Sequence, residues 1–259
     1  MVMVDSGNQI TMGYLSFYNE YKAMVDAAMA RPPQANIQAN WWRTGDAIEV
    51  YAQVENLSGA TLSGANGAVV HVIVYEDSKV VHTNRIGRAT AEAAISDLAN
   101  GAAKTFRLQT ADLAGVNWDK LHVVVLADYR PTASAQTYDT LQAVMASKLD
   151  VPFASAPTSL SLVASADDTA DPWAEVNLQG PSFVNWTATT ETPWLTVTPT
   201  SGPMPTPARI TATRGSLAAG WQDGTVTFKT ADGLYSAELT VRAYMGALER
   251  IYLPNVIRE

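Results

Sequence analysis

Hydrophobic and polar residues alternate along most of this chain with a period of two, which is typical of β-strands that bury one face. In residues 48–55, Ile, Val, Ala and Val alternate with Glu, Tyr, Gln and Glu. Residues 68–75 are apolar on both faces apart from His71, which is typical of a central strand. Gly, Asn and Ser turns separate such runs, and no helical repeat intervenes. The pattern therefore predicts an all-β fold rather than alternating strands and helices.

One segment near the start has a helical period instead. Its apolar stripe consists of Phe17, Tyr21, Met24, Val25, Ala28 and Met29. Ser16 can cap the start of this helix, and Pro32-Pro33 would end it. Because the preceding residues have the pattern of a small hairpin, we predict a short α/β segment at residues 1–33. A hairpin followed by a closing helix resembles the end of a thioredoxin-like domain, but a plain N-terminal docking helix is the simpler interpretation.

The alternating runs fall into two groups. Residues 150–157 (DVPFASAP) contain two prolines among small residues, which is typical of a linker. With 259 residues, the chain has room for two sandwiches of about 100 residues each. We therefore predict two tandem immunoglobulin-like β-sandwiches, at residues 34–150 and 157–245, followed by a tail at residues 246–259.

Composition excludes several classes of function. The net charge is −8, and no stretch is basic enough to follow a phosphate backbone, so we expect no nucleic-acid partner. The absence of cysteine removes disulfides, thiolate nucleophiles and cysteine-based zinc sites. No apolar run approaches the roughly 20 residues of a membrane-spanning helix, so we expect no transmembrane segment.

Few residues have the spacing of a catalytic or metal site. The three histidines, His71, His82 and His122, have no second histidine or carboxylate at the spacing of a preformed metal site. No serine stands in a nucleophile-elbow motif. Adjacent carboxylates occur only in predicted turns. The sequence therefore predicts no catalytic residue, no metal site, no cofactor and no enzymatic activity.

A calcium site is the weak exception. Asp167, Asp168 and Asp171 are close enough in the chain to approach one Ca²⁺, which takes several oxygen ligands. They lack the Asp-x-Asp-x-Asp spacing of an EF-hand loop, so turn residues are the simpler interpretation.

Tryptophan is the enriched residue type, with seven in the chain. Exposed tryptophans offer sugar rings a flat apolar surface for stacking, whereas buried ones fill sandwich cores. Trp41 and Trp42 are adjacent, so in a strand one would face the core and the other solvent. Trp173 and Trp221 lie near turns. These four are therefore the candidate ligand-binding residues.

Residues 157–245 resemble the BACON domain, an immunoglobulin-like module of secreted bacterial enzymes and surface proteins. The resemblance rests on Trp186, Pro193-Trp194-Leu195, residues 199–202, residues 217–220 and Thr225-Val226-Thr227. It implies that Trp186 and Trp194 are structural, and it suggests carbohydrate binding at the level of the family. It also implies a bacterial protein, in which the glycosylation sequons at Asn56 and Asn185 would be incidental.

Residues 14–147 more loosely resemble the immunoglobulin-like domain that follows a thioredoxin-like unit in Omp28-type bacterial surface proteins. We therefore expect a non-enzymatic extracellular or cell-surface module that acts as a scaffold or interaction domain. Its partner would be a surface polysaccharide or another protein domain. The alternatives are a carbohydrate-binding accessory module that uses exposed tryptophans, and the C-terminal part of a thioredoxin-like redox protein. Tyr252-Leu253-Pro254 resembles a sorting tail, with an ordinary C-terminal strand as the alternative.

Overall fold

The computed structural model describes residues 2–4, 9–11, 18–81, 83–132 and 137–247. Those residues form nineteen strands, one α-helix and three short 3-10 helices, which confirms the prediction of an all-β fold. The chain divides into two compact units, unit 1 (residues 1–150) and unit 2 (residues 151–259). None of the described helices has the length and apolarity that a membrane span requires.

Unit 1 begins with a hairpin and a helix and continues as a sandwich. Its elements are β1 (Val2–Val4), β2 (Gln9–Thr11), α1 (Tyr18–Met29), β3 (Ala35–Thr44), β4 (Ala47–Asn56), β5 (Val69–Val80), β6 (Thr83–Ala94), β7 (Ala103–Gln109), β8 (Leu121–Tyr129), β9 (Asp139–Met145) and β10 (Ser147–Lys148), with 3-10 helices at Gly64–Asn66 and Trp118–Lys120. One sheet has the order β10-β3-β4-β7 and the other β6-β5-β8-β9, while β1 and β2 pair by themselves.

The core of unit 1 follows from the alternation in its strands. Ile48, Val50 and Val54 of β4 are fully buried against residues such as Val70 and Val72 of β5, in one cluster that both sheets supply. Burial of this apolar surface is the main stabilising contribution to a sandwich. The predicted helix is present as α1, but none of its residues is buried.

Unit 2 is a second sandwich. Its strands are β11 (Ala154–Ala156), β12 (Ser159–Ser165), β13 (Trp173–Gln179), β14 (Asn185–Thr189), β15 (Leu195–Thr198), β16 (Ser201–Pro203), β17 (Ala208–Ala212), β18 (Gly220–Thr230) and β19 (Ser236–Gly246), with a 3-10 helix at Arg214–Ser216. One sheet has the order β11-β13-β17-β15 and the other β12-β19-β18-β14-β16. The predicted tail motif Tyr252-Leu253-Pro254 and the predicted helix cap Ser16 lie outside the described residues.

The strand order of unit 2 is immunoglobulin-like. Its first strand is divided, so that β11 borders one sheet and β12 borders the other. The two sheets thereby match the A-B-E-D and C-F-G arrangement of that fold. Two strand pairs depart from the antiparallel pairing of the other strands: β12 pairs parallel with β19, and β10 pairs parallel with β3 in unit 1. Each parallel pair joins strands far apart in the chain, so no tight turn forces them to be antiparallel.

Two tryptophans lie in the core of unit 2, as the BACON resemblance implies. Trp186 of β14 is fully buried, and Trp194, which precedes β15, is 6% exposed. The Trp186 ring meets the Phe228 ring edge to face, with centroids 5.8 Å apart. This geometry is the favourable one for aromatic pairs, and it ties β14 to β18.

Candidate functional site

The structure excludes Trp41 and Trp42 from the candidate ligand-binding residues. Strand β3 does place them on opposite faces, with Trp41 in the core, but both are buried, at 4% and 2% exposure. Trp42 lies opposite Glu49 in the β3/β4 ladder, and Glu49 and Tyr51 on the same face are buried too. The prediction that one of the two tryptophans is exposed is therefore wrong, because the outer face of β3 is also buried at Trp42.

Trp173 and Trp221 are both half-exposed, but they lie on different sheets of unit 2. Trp173 starts β13 and alternates with the core residues Val176 and Leu178. Trp221 is the second residue of β18 in the other sheet and lies on the face opposite to that of Val226 and Phe228. Because the two outward faces of a sandwich point in opposite directions, one flat ligand surface cannot stack on both rings.

Trp221 belongs to an exposed row of side chains that crosses three strands. It lies directly opposite Tyr244 of β19, and Tyr244 lies beside Val163 of β12. The rings of Trp221 and Tyr244 have centroids 5.2 Å apart, and Val163 is 44% exposed. Adjacent strands are about 4.8 Å apart, so this Trp221 row is about 10 Å long from backbone to backbone. It is an apolar platform on the outer face of the β12-β19-β18 sheet.

A paired arginine and aspartate border the Trp221 row. The guanidinium of Arg242 lies over the Trp221 ring, 5.1 Å from its centroid. Its Nε atom is 3.2 Å from Oδ1 of Asp223, which lies directly opposite it in the β18/β19 ladder. Both side chains are more than half-exposed. The platform therefore has polar donors and acceptors at its margin.

Asp223 also lines a polar cleft that continues along β18 toward β14. This threonine cleft has a volume of about 530 Å³, and its lining residues are Thr189, Thr190, Glu191, Thr192, Asp223, Gly224, Thr225, Thr227 and Lys229. The hydroxyl of Thr190 donates to the carbonyl of Thr225, at 2.8 Å, which ties the loop after β14 to β18. The other threonines present hydroxyls along a surface that adjoins an aromatic ring.

Trp173 has a different environment. The guanidinium of Arg209 stacks on its ring at 4.1 Å from the centroid, which covers one face of the indole. The adjacent cleft of about 490 Å³ is lined mainly by the turn between β12 and β13. An arginine stacked this closely competes with a sugar for the same ring face. The Arg242 guanidinium lies over Trp221 as well, but at 5.1 Å rather than 4.1 Å from the ring centroid, so Trp173 is the weaker of the two candidate platforms.

The calcium candidates serve as turn residues. Oδ2 of Asp168 accepts a hydrogen bond from the backbone N–H of Ser165, and Oδ1 of Asp171 accepts one from the backbone N–H of Arg214. The backbone N–H of Asp167 donates to the hydroxyl of Ser165. The structure does not bring the three carboxylates together, and no group of three metal-ligating side chains occurs among the described residues.

Two histidines lie beside carboxylates on the outer face of unit 1. Nε2 of His71 is 3.2 Å from Oδ1 of Asp128, and Nδ1 is 3.7 Å from Oε2 of Glu92. The hydrogen bond to Asp128 raises the pKa of His71 above its usual value of 6.5, although burial acts in the other direction. His122 is 2.8 Å from Asp77. His82 lies outside the described residues.

Sequence reasoning missed Tyr244, Arg242 and Asp223, although the chain contained a signal for them. Asp232-Gly233 is a dipeptide typical of a hairpin turn, and residues equally far from a hairpin turn lie opposite each other. Counting outward from that turn pairs Trp221 with Tyr244 and Asp223 with Arg242, as observed. The parallel neighbour Val163 has no such signal, because its partner lies some eighty residues away in the chain.

Comparisons with known proteins show no family. No family model matches the chain, and no curated protein matches it. The BACON and Omp28 resemblances therefore remain resemblances.

Several solved structures are similar at low identity. The alignment with a pair of titin tandem immunoglobulin domains covers 82% of this chain and 97% of the titin chain, at 10% identity and a TM-score of 0.25. The sialic acid binding region of a Streptococcus sanguinis adhesin covers 82% of this chain and 77% of its own, at 11% identity and a TM-score of 0.29. An endo-fucoidan hydrolase of glycoside hydrolase family 107 covers 86% of this chain at 13% identity and a TM-score of 0.33. Values this low assign no function.

The hydrolase corrects one expectation from the sequence. The chain aligns with 28% of that enzyme, so the similar structures include an enzyme. This finding contradicts the prediction of a protein without enzymatic activity, and that exclusion is withdrawn. The prediction rested on the absence of a readable catalytic set within 259 residues, which says nothing about a longer protein that contains such a segment.

Proposed function

We propose that unit 2 binds carbohydrate chains on the outer face of the β12-β19-β18 sheet, with Trp221 as the stacking platform. The Trp221 row is the observation that carries this proposal. Trp221 and Val163 are exposed and Tyr244 is partly exposed, in register across three strands, although the same sandwich buries Trp186 and Trp194 completely or nearly so. An exposed aromatic row beside polar groups is the arrangement that recognition of a sugar requires.

The chemistry of the face fits a sugar ring. One face of a pyranose is made of C–H groups and stacks on an indole, while the hydroxyls at its edge need hydrogen-bond partners. Trp221 and Tyr244 supply the apolar surface, and Arg242 and Asp223 supply a donor and an acceptor at its edge. The threonine cleft offers further hydroxyls for the next sugar along the chain.

Affinity should be modest. An aromatic contact contributes about 0.5–1.5 kcal/mol beyond the area that it buries, and the platform contains two rings. Binding to a face that is open to solvent would therefore have a dissociation constant on the order of micromolar to millimolar. Modules of this affinity work by holding a larger protein near a polymer, which fits a module outside the cell or on its surface. Accessibility of the protein to protease added to intact cells would test that location.

The direct test is affinity electrophoresis of the full chain through gels that contain soluble polysaccharides. We expect at least one polymer to retard the wild-type protein and Trp221→Ala to lose roughly tenfold in affinity, the value of about 1.4 kcal/mol. The matched control is Trp173→Ala, which removes the other half-exposed tryptophan from the opposite sheet. Circular dichroism melts of both variants would establish that they remain folded.

Two results would contradict the proposal. If no polymer in a broad panel retards the wild-type protein, unit 2 is not a carbohydrate-binding module of this kind. If Trp173→Ala abolishes retardation and Trp221→Ala does not, the binding face is the other sheet, and the Trp221 row is not the site.

A further inference from the structure

We infer that the ligand of the Trp221 face is an uncharged polysaccharide rather than a sulfated or uronic acid polymer. This inference rests on the proposed function and deepens it by naming the class of ligand. It follows from the charged groups that border the Trp221 row and the threonine cleft, and from how each of them is paired.

Arg242 is the cation nearest to Trp221, and it already has an anionic partner. Its Nε atom lies 3.2 Å from Oδ1 of Asp223, and its guanidinium lies over the indole. A sulfate or carboxylate on a sugar stacked at Trp221 would have to approach within reach of Asp223 as well. The repulsion from that carboxylate offsets the attraction of the guanidinium, because the two charges lie in nearly the same place.

The threonine cleft adds no net positive charge. Its lining contains two carboxylates, Glu191 and Asp223, and one ammonium group, that of Lys229. Glu238 of β19 lies directly opposite Thr227 on the same outer face and is exposed. The five charged groups of the face, including Arg242, therefore sum to −1. A site for a polyanion gains affinity from clustered cations, whereas Arg242 and Lys229 lie six residues apart along the β18/β19 ladder and Arg242 is paired with Asp223.

The polar groups of this face are suited to hydrogen bonds with sugar hydroxyls. Asp223 and Glu191 accept hydrogen bonds from sugar O–H groups, and Arg242 donates to ring and hydroxyl oxygens. The threonine hydroxyls both donate and accept. A neutral polymer satisfies these groups without a charge that the face would repel.

The experiment compares each neutral polymer with its chemically sulfated derivative. The full chain is titrated by calorimetry with a panel of neutral glucans, mannans and xylans, with the sulfated form of each, and with polygalacturonate. We expect binding by at least one neutral polymer, with an affinity that changes less than about twofold between low and high salt, because no ion pair forms. Its sulfated form should bind at least roughly fivefold more weakly.

The two proposals fail in different ways. Tighter binding of a sulfated or uronic acid polymer, lost in high salt and abolished by Trp221→Ala, would overturn the inference and leave the proposed carbohydrate site intact. Absence of binding by every polymer would overturn both.

A charge variant sharpens the test. Asp223→Asn removes the partner of Arg242, so binding of the sulfated derivatives at low salt should increase roughly two- to fivefold, the contribution of one exposed ion pair. Glu175→Gln is the matched control, since it removes one negative charge from β13 on the opposite sheet and should leave that binding unchanged. If binding of the sulfated derivatives increased equally in both variants, or increased in neither variant, the role of the Arg242–Asp223 pair would be contradicted.

Discussion

Gly224 lies against the ring of Trp194, so close that a Cβ atom on Gly224 would be 2.9 Å from Cζ2 of Trp194. The same Cβ would be 2.8 Å from Cγ2 of Thr192 and 3.0 Å from Cδ1 of Leu195. Gly224 stands between Asp223 and Thr225 of β18, where it lines the threonine cleft. Gly224 therefore belongs to the lining of the candidate site and also packs against the core of unit 2, where a larger residue does not fit.

We expect Gly224→Ala to destabilise unit 2. The added methyl group overlaps two core side chains, those of Trp194 and Leu195, and the partly buried Thr192, and overpacking of this kind costs about 1–3 kcal/mol. Urea denaturation of the full chain, with unit 2 followed separately where two transitions resolve, would measure the loss. Gly215→Ala is the matched control, since a Cβ there meets no atom within 4 Å. Equal stability of the two variants would show that the core yields at Gly224 without strain.

Trp186 provides a second test of the core. We expect Trp186→Ala to lower the free energy of unfolding by about 3–5 kcal/mol, because the side chain is fully buried. The indole Nε1 has no hydrogen-bond partner among the described residues. Trp186→Phe removes that unsatisfied donor along with some packing, so it should cost much less than Trp186→Ala. A loss from Trp186→Phe as large as that from Trp186→Ala would mean that the indole N–H is satisfied in solution.

The strands could be predicted because alternation follows from local chemistry, whereas the structural role of Trp186 and Trp194 was implied by the BACON resemblance. Exposure at Trp42 could not be predicted, since it depends on what covers the outer face of β3. The site was predicted only at Trp221. Its neighbour Val163 depends on a parallel pairing between β12 and β19, and register between distant strands is set by packing rather than by any local pattern.

Asn56 shows how a short motif can mislead. It fits a glycosylation sequon, but it is fully buried, and its side-chain Nδ2 donates to the carbonyls of Ala60 and Leu98 at 2.7 and 2.8 Å. We expect Asn56→Ala to cost about 1–3 kcal/mol, because it removes both buried hydrogen bonds, although the Leu98 carbonyl still accepts from the backbone N–H of Leu62 and the Ala60 carbonyl from the Ser58 hydroxyl. Thermal melts would measure this loss. Asn84→Ala, an exposed asparagine on β6, should leave the melting temperature unchanged. A stable Asn56→Ala variant would show that water replaces both hydrogen bonds.

The His71–Asp128 pair predicts a dependence of stability on pH. The hydrogen bond to Asp128 raises the pKa of His71 above 6.5 in the folded protein, so protonated His71 favours the folded state. This stabilisation is fully present below pH 6.5 and is lost as the pH rises through the folded-state pKa. We therefore expect His71→Gln to destabilise unit 1 more at about pH 5.5 than at about pH 9. Urea denaturation at both pH values would measure the difference.

The carboxylate partner makes this prediction specific to the pair. Asp128→Asn removes the main cause of the raised pKa, so in that background His71→Gln should show little dependence on pH. Glu92, 3.7 Å from Nδ1, also favours the protonated form, but it is the more exposed carboxylate and contributes less. An NMR titration of His71 gives the direct measurement: the wild-type pKa should lie above 6.5 and should fall in Asp128→Asn. If the two proteins titrate alike, Asp128 does not hold the proton on His71, and stability will not depend on pH through this pair.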